Sequence, residues 1–138
     1  MTFSTAAQKE IDKLYKGRHH VELSIGILWN GETEVLHLGP DGKEVGGPLR
    51  FAEKNLDGSL PYLAVCHEVH GPCEKNANSG LAWRLEKDAP ISWHTGSAGA
   101  FSAWLGLNRE IKCAVAVAVN YGLVNAEQIG FAIPKNDL

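Results

Sequence analysis

Polar and apolar residues alternate with a period of two in several stretches of this chain, and the spacing shifts to that of a helix near each end. Ser4 followed by TAAQKEIDKLYKG predicts a helix: serine is a good N-cap, Ile11, Leu14 and Tyr15 recur at helical spacing, and Gly17 stands where the helix would stop. Such a helix is amphipathic and needs a sheet to lie on. The next run, HVELSIGILWN, puts Val21, Leu23, Ile25, Ile27 and Trp29 on one face and Glu22, Ser24 and Asn30 on the other, with Leu28 breaking the polar side. It predicts a half-buried strand. Asn30–Gly31 is a strong hairpin signal, and TEVLHLG supplies the returning strand.

Pro40 to Ser59 is rich in Gly, Pro and Asp and reads mostly as connection, with a helical turn or two at LRFAEKNL. LPYLAVCHEV predicts a short strand, HGPCEKNANSG a loop, and LAWRLEKD a strand running into a turn at Asp88 to Pro90. ISWHTG, AFSAWLGLN and KCAVAVAVN follow as strands, with turns at Ser97 to Gly99 and Asn108 to Glu110. In the last strand Cys113, Val115, Val117 and Val119 form one face and Ala114, Ala116 and Ala118 the other. Both faces are apolar, as in a central strand, and the alanine face would admit a helix closely. NAEQIGFAIPKN predicts a closing helix that Pro134 disrupts. The expected fold is α+β: a single antiparallel sheet of about five to seven strands, with the N- and C-terminal helices packed on one face.

The 138 residues suit one domain, with 40–79 as a connecting stretch, and 44% hydrophobic content is enough for one core. Thirteen basic against sixteen acidic residues give a net charge of −3 without a Lys/Arg cluster, which argues against a nucleic-acid partner. The N-terminus lacks the apolar core of a secretory signal, and CAVAVAVNYGLV is shorter than the roughly 20 residues of a membrane span. A cytoplasmic protein is expected, with no membrane association. Three cysteines cannot all pair with one another, so free thiols are expected.

The stretch SGLAWRLEKDAPISWHTGSAGAFSAWLGLNREIKCAVAVAVNYG resembles the C-terminal part of the serine β-lactamase and penicillin-binding-protein superfamily, especially its class C-like esterase and D-aminopeptidase relatives. The pattern there is a G-x-G-W strand, H-T-G with a further Gly and an aromatic-Ser pair, and a strand ending in Asn. This chain supplies Gly80, Leu81 and Trp83, then His94, Thr95, Gly96, Gly99, Phe101 and Ser102, and closes at Asn120. It departs at Ala82, where the pattern has its second Gly. VELSIGILWNGETEVLHLG is similar to the family's opening hairpin, and the two matches together span a little under half of the chain.

The family's chemistry needs an S-x-x-K helix for nucleophile and base, and an S-D-N or Y-x-N motif to shuttle protons. No serine here has a lysine three residues on, and no tyrosine has an asparagine two residues on. The helical region that carries both motifs would lie between the hairpin and the G-x-G-W strand, where about forty residues connect Gly39 to Gly80. The resemblance therefore implies an α/β half without its helical half. Half an oxyanion hole and no nucleophile cannot acylate a substrate. The expectation is a catalytically silent binding or assembly module, with His94, Thr95 and Gly96 as relics of the catalytic strand and Trp93, His94, Thr95, Gly96 and Ser97 as candidate ligand contacts. Sheet surface freed of the helical half would be covered by self-association as a two-fold dimer, or would take a small-molecule ligand. Two alternatives stand beside this one. His94 with a serine, or with Cys66 or Cys73, would give a residual serine-hydrolase-type activity. Cys66, His67, His70 and Cys73 in CHEVHGPC carry the ligand types of a zinc site, although their spacing departs from the usual pairs two to four apart. No cofactor is otherwise expected. Trp83, Trp93 and Trp104 read as sheet-packing residues, or as a platform for a ligand if they share a face.

Overall fold

The computed structural model describes residues 3–29, 31–45, 68–69, 71–122 and 126–136, with side chains as far as Ile133 in the last segment. Helix α1 spans Thr5–Tyr15, and the Ser4 Oγ accepts the Ala7 N–H at 3.2 Å, as the N-cap predicts. Ala7, Ile11 and Leu14 form its buried stripe. The chain turns at Gly17, whose φ of 72° is left-handed, and enters β1 (Leu23–Trp29). β2 (Glu32–Leu38) returns antiparallel from Leu23↔Leu38 to Trp29↔Glu32, with Gly31 at φ 82° in the connection.

Next come β3 (Gly71–Pro72), β4 (Ala77–Ser79), β5 (Arg84–Glu86), β6 (Ile91–Ala98), β7 (Phe101–Asn108), β8 (Cys113–Val119) and helix α2 (Ala126–Asn136). The eight strands among the described residues form one antiparallel sheet in the order β2-β1-β8-β7-β6-β5-β4-β3. This is the expected α+β class with more strands than expected. The additional ones lie in the stretch read as a loop: β3 and β4 have two and three residues, too few to show alternation. Nor does Pro134 interrupt α2, which runs on to Asn136. In its last turn proline withholds only the N–H that would reach back to residue 130. The strand read at LPYLAVCHEV falls, apart from Glu68 and Val69, outside the described residues.

Both helices among the described residues lie on the face that β1 and β8 present through Leu23, Ile25, Val115, Val117 and Val119. These join Ala7, Ile11, Leu14, Ala126, Ile129 and Ile133 in one cluster, each 3% exposed or less. Burying a side chain of the Val, Leu or Ile kind contributes about 1.5–3 kcal/mol, so this cluster is the main source of stability. Valine, not alanine, thus faces the helices on β8, contrary to the expectation that the smaller side chains would admit one. Close approach is supplied elsewhere. Trp104 of β7 is 1% exposed, and its indole occupies the space that a Cβ would need at Gly106 of the same strand and at Gly130 of α2. Two glycines make the slot for one tryptophan.

At the far end of β8, Asn120 ties the strand to the segment entering β1. Its Oδ1 accepts the Glu22 N–H at 2.6 Å, its backbone N–H donates to the Glu22 carbonyl at 3.2 Å, and its Nδ2 donates to the His20 carbonyl at 3.3 Å.

Candidate functional site: the open face of the sheet

Strand alternation divides the H-T-G segment between the two faces. Trp93 is buried on the helix side, where its ring meets Phe131 edge-on at 5.1 Å, its Nε1 donates to Glu86 Oε1 at 3.0 Å, and the Arg84 guanidinium lies 4.9 Å from its centroid. Thr95 pairs with Trp104 on that side, and Ser97 follows it. His94 and Gly96 point the other way and are exposed. Trp93, Thr95 and Ser97 therefore do not share a surface with His94 and Gly96. Trp93 and Trp104 both pack against Phe131, inside the core and away from any ligand platform.

The opposite face carries no helix among the described residues. Its register is read directly from the pairings. One row runs Gly96, Ala103, Ala118, Ser24 and His37, and the next His94, Leu105, Ala116, Gly26 and Val35. The first row is a trough in which no side chain rises beyond Cβ until Ser24. Beside it stands a ridge with Leu105 at its centre. A groove of about 330 Å³ lies here, bounded by Ser24, Gly26, His94, Ala103, Leu105 and Ala116. Leu28 (43%), Leu105 (41%) and Phe101 (63%) are exposed, and no Asp, Glu, Lys or Arg occupies either row.

At one end of the trough the hairpin register sets Ser24 opposite His37, and Ser24 Oγ lies 2.8 Å from His37 Nδ1. The sequence reading missed this pair, although the hairpin centred on Asn30–Gly31 would have given it by counting out from the turn. A serine beside an imidazole has the reach of a nucleophile and base. What it lacks is an oxyanion hole: Ser24 sits inside β1, which is paired on both sides, so its N–H is committed to the sheet. The pair is thus a hydrogen bond within the face.

The serines near the resembling strand fare no better. Ser92 is fully buried with its Oγ unpartnered, and Ser102 Oγ accepts the Ala126 N–H at 3.4 Å, joining β7 to the start of α2. Ser97 is exposed, but it faces the helix side and so does not meet His94. In CHEVHGPC, Cys66, His67 and His70 lie outside the described residues, whereas Cys73 is exposed. Among the described residues no three His, Cys, Asp or Glu side chains converge as a metal site. Cys113 is a core thiol, pushed up to about 11 by burial. A larger hollow of about 780 Å³ lies between α1 and β2, where Lys13 pairs with Glu10 at 2.6 Å, Asp41 with Lys43 at 3.0 Å and Gln8 donates to Asp12 at 2.8 Å, and where Lys9 and Lys16 also line the rim.

Comparison with protein-family models, curated proteins and solved structures finds no match to this chain. No helix among the described residues is long and apolar enough to cross a membrane. The site therefore rests on its own geometry.

Proposed function

We propose that this protein is a catalytically silent module, the α/β half of a serine β-lactamase-like architecture, that binds or assembles through the open face of its sheet. One observation carries the reading: both faces of β8 are apolar, and among the described residues the helices cover the valine face alone, leaving Ala114 and Ala116 half-buried and Ala118 exposed. Contiguous exposed apolar surface in the middle of a sheet marks an interaction site. The resemblance supplies the reason for its exposure, since a helical half would have lain at the seam beside the H-T-G strand.

Two measurements test this. Fluorophosphonate and penicillin probes are expected to leave every serine unmodified; a stoichiometric adduct on Ser24, Ser97 or Ser102 would show a working nucleophile and overturn the catalytic silence. The dye 8-anilinonaphthalene-1-sulfonate is expected to gain fluorescence on the dilute native protein and to lose that gain in Leu105→Glu with the melting temperature unchanged. A native protein that leaves the dye dark refutes the binding surface.

A further inference from the structure

Apart from the open face, we infer that the hollow between α1 and β2 is a binding site for a straight-chain carboxylate, an amphipathic ligand with one negative charge. Helix α1 lies closest to α2, and a gap is left between it and β2 at the end of the strand order. At about 780 Å³ the gap falls within the roughly 300–1,000 Å³ of small-molecule sites. Its apolar wall combines Phe3 and Tyr15, each half-buried, with Leu36 and Leu38 of β2. Tyr15 sets the width at one end: its Oη donates to the Leu38 carbonyl at 3.1 Å, and its ring lies 3.5 Å from the place a Cβ would take at Gly42.

Charge selects the ligand. The chain carries −3 overall, yet the rim of this hollow is cationic. Glu10 neutralises Lys13, and Lys43 neutralises Asp41. What remains is Lys9 and Lys16, neither with a partner among the described residues, against Asp12, whose carboxylate accepts from the Gln8 amide. Two ammonium groups against one carboxylate match a single further negative charge and no polyanion. Lys9 and Lys16 stand seven residues apart on one stripe of α1, about 10 Å along its axis, which an alkyl chain of about ten carbons spans. Its methylenes lie on Phe3, Tyr15, Leu36 and Leu38 while its carboxylate meets a lysine, whose flexible stem lets the ammonium follow it. The two rows of the open face hold no lysine or arginine and offer no such head-group contact.

Isothermal titration calorimetry of sodium decanoate into the full chain tests the inference. One site per chain is expected, with a dissociation constant on the order of 100 µM. Affinity is expected to fall by up to about fourfold for each methylene removed on passing to octanoate and hexanoate, and to weaken with added salt. Decyltrimethylammonium, the same chain with a cation at its head, is expected not to bind. Lys9→Glu and Lys16→Glu, at exposed positions, are each expected to weaken decanoate about tenfold, and Asp12→Asn to tighten it about threefold. Leu105→Glu is expected to leave it unchanged, since that side chain stands on the opposite face of the sheet. An absence of binding at millimolar decanoate overturns the inference, as does binding indifferent to both lysine reversals. Binding that Leu105→Glu removes also overturns it, because the ligand then lies on the open face. The lysine and aspartate variants move affinity in opposite directions, a pattern that loss of folding does not imitate; should one lysine variant fail to fold, the other decides together with the methylene series.

Discussion

Ala82 has a φ of 60°, a left-handed conformation that costs an L-residue with a Cβ about 1–2 kcal/mol. The backbone geometry there is the geometry a glycine adopts freely. Ala82→Gly is therefore expected to stabilise the protein by about 0.5–1 kcal/mol, seen as a rise in urea midpoint at constant slope. The opposite holds at Gly130, where a Cβ would overlap the Trp104 ring. Gly130→Ala is expected to cost about 1–3 kcal/mol through overpacking, and the cost should shrink when Trp104→Leu is added, because the two positions share one slot. Gly96 is the control: a Cβ there meets nothing within 4 Å, so close approach of backbone is not what it provides. A sequence marks these two glycines alike, and only the packing separates them.

Among the elements, those with several repeats of their period were legible: α1, the β1–β2 hairpin, and β6 to β8 each carry enough alternation to declare a face. β3 and β4 were not, since strands this short are held by their neighbours and not by their own pattern. Nor was the face of β8 that the helices would cover, because both are apolar and the choice is made by Trp104 fitting between Gly106 and Gly130. Candidate site residues were legible as a run, but a run of five on a strand is two sites of alternate residues. His94 and Gly96 were placed on the working face by alternation, while Ser24 and His37 required the hairpin register, which crosses between strands.

For the molecule as a whole, a buried thiol and a half-buried phenol make stability fall at alkaline pH. Burial pushes the Cys113 thiol from 9.0 up to about 11, and burial together with the nearby Glu22 carboxylate pushes the Tyr15 phenol from 10.0 up to about 12. The fold holds both protons more tightly than the unfolded chain does, so their contribution is complete below pH 9. It is lost as pH rises from 9 towards 12. The urea midpoint is expected to fall between pH 8.5 and pH 11, and Cys113→Ala should flatten the first part of that fall.

The place of β8 between β1 and β7 also governs how the chain can come together. Leu23, near the beginning, has Val119 as its neighbour across the sheet, so this seam closes a loop of nearly the whole chain at an entropic cost that grows with the logarithm of its length. On the ribosome, the opening hairpin emerges with its inner edge bare and keeps it bare while the remaining strands are synthesised. Completion of this sheet therefore waits until β8 has been synthesised, and the nascent protein is most prone to stick to its neighbours just before that strand arrives.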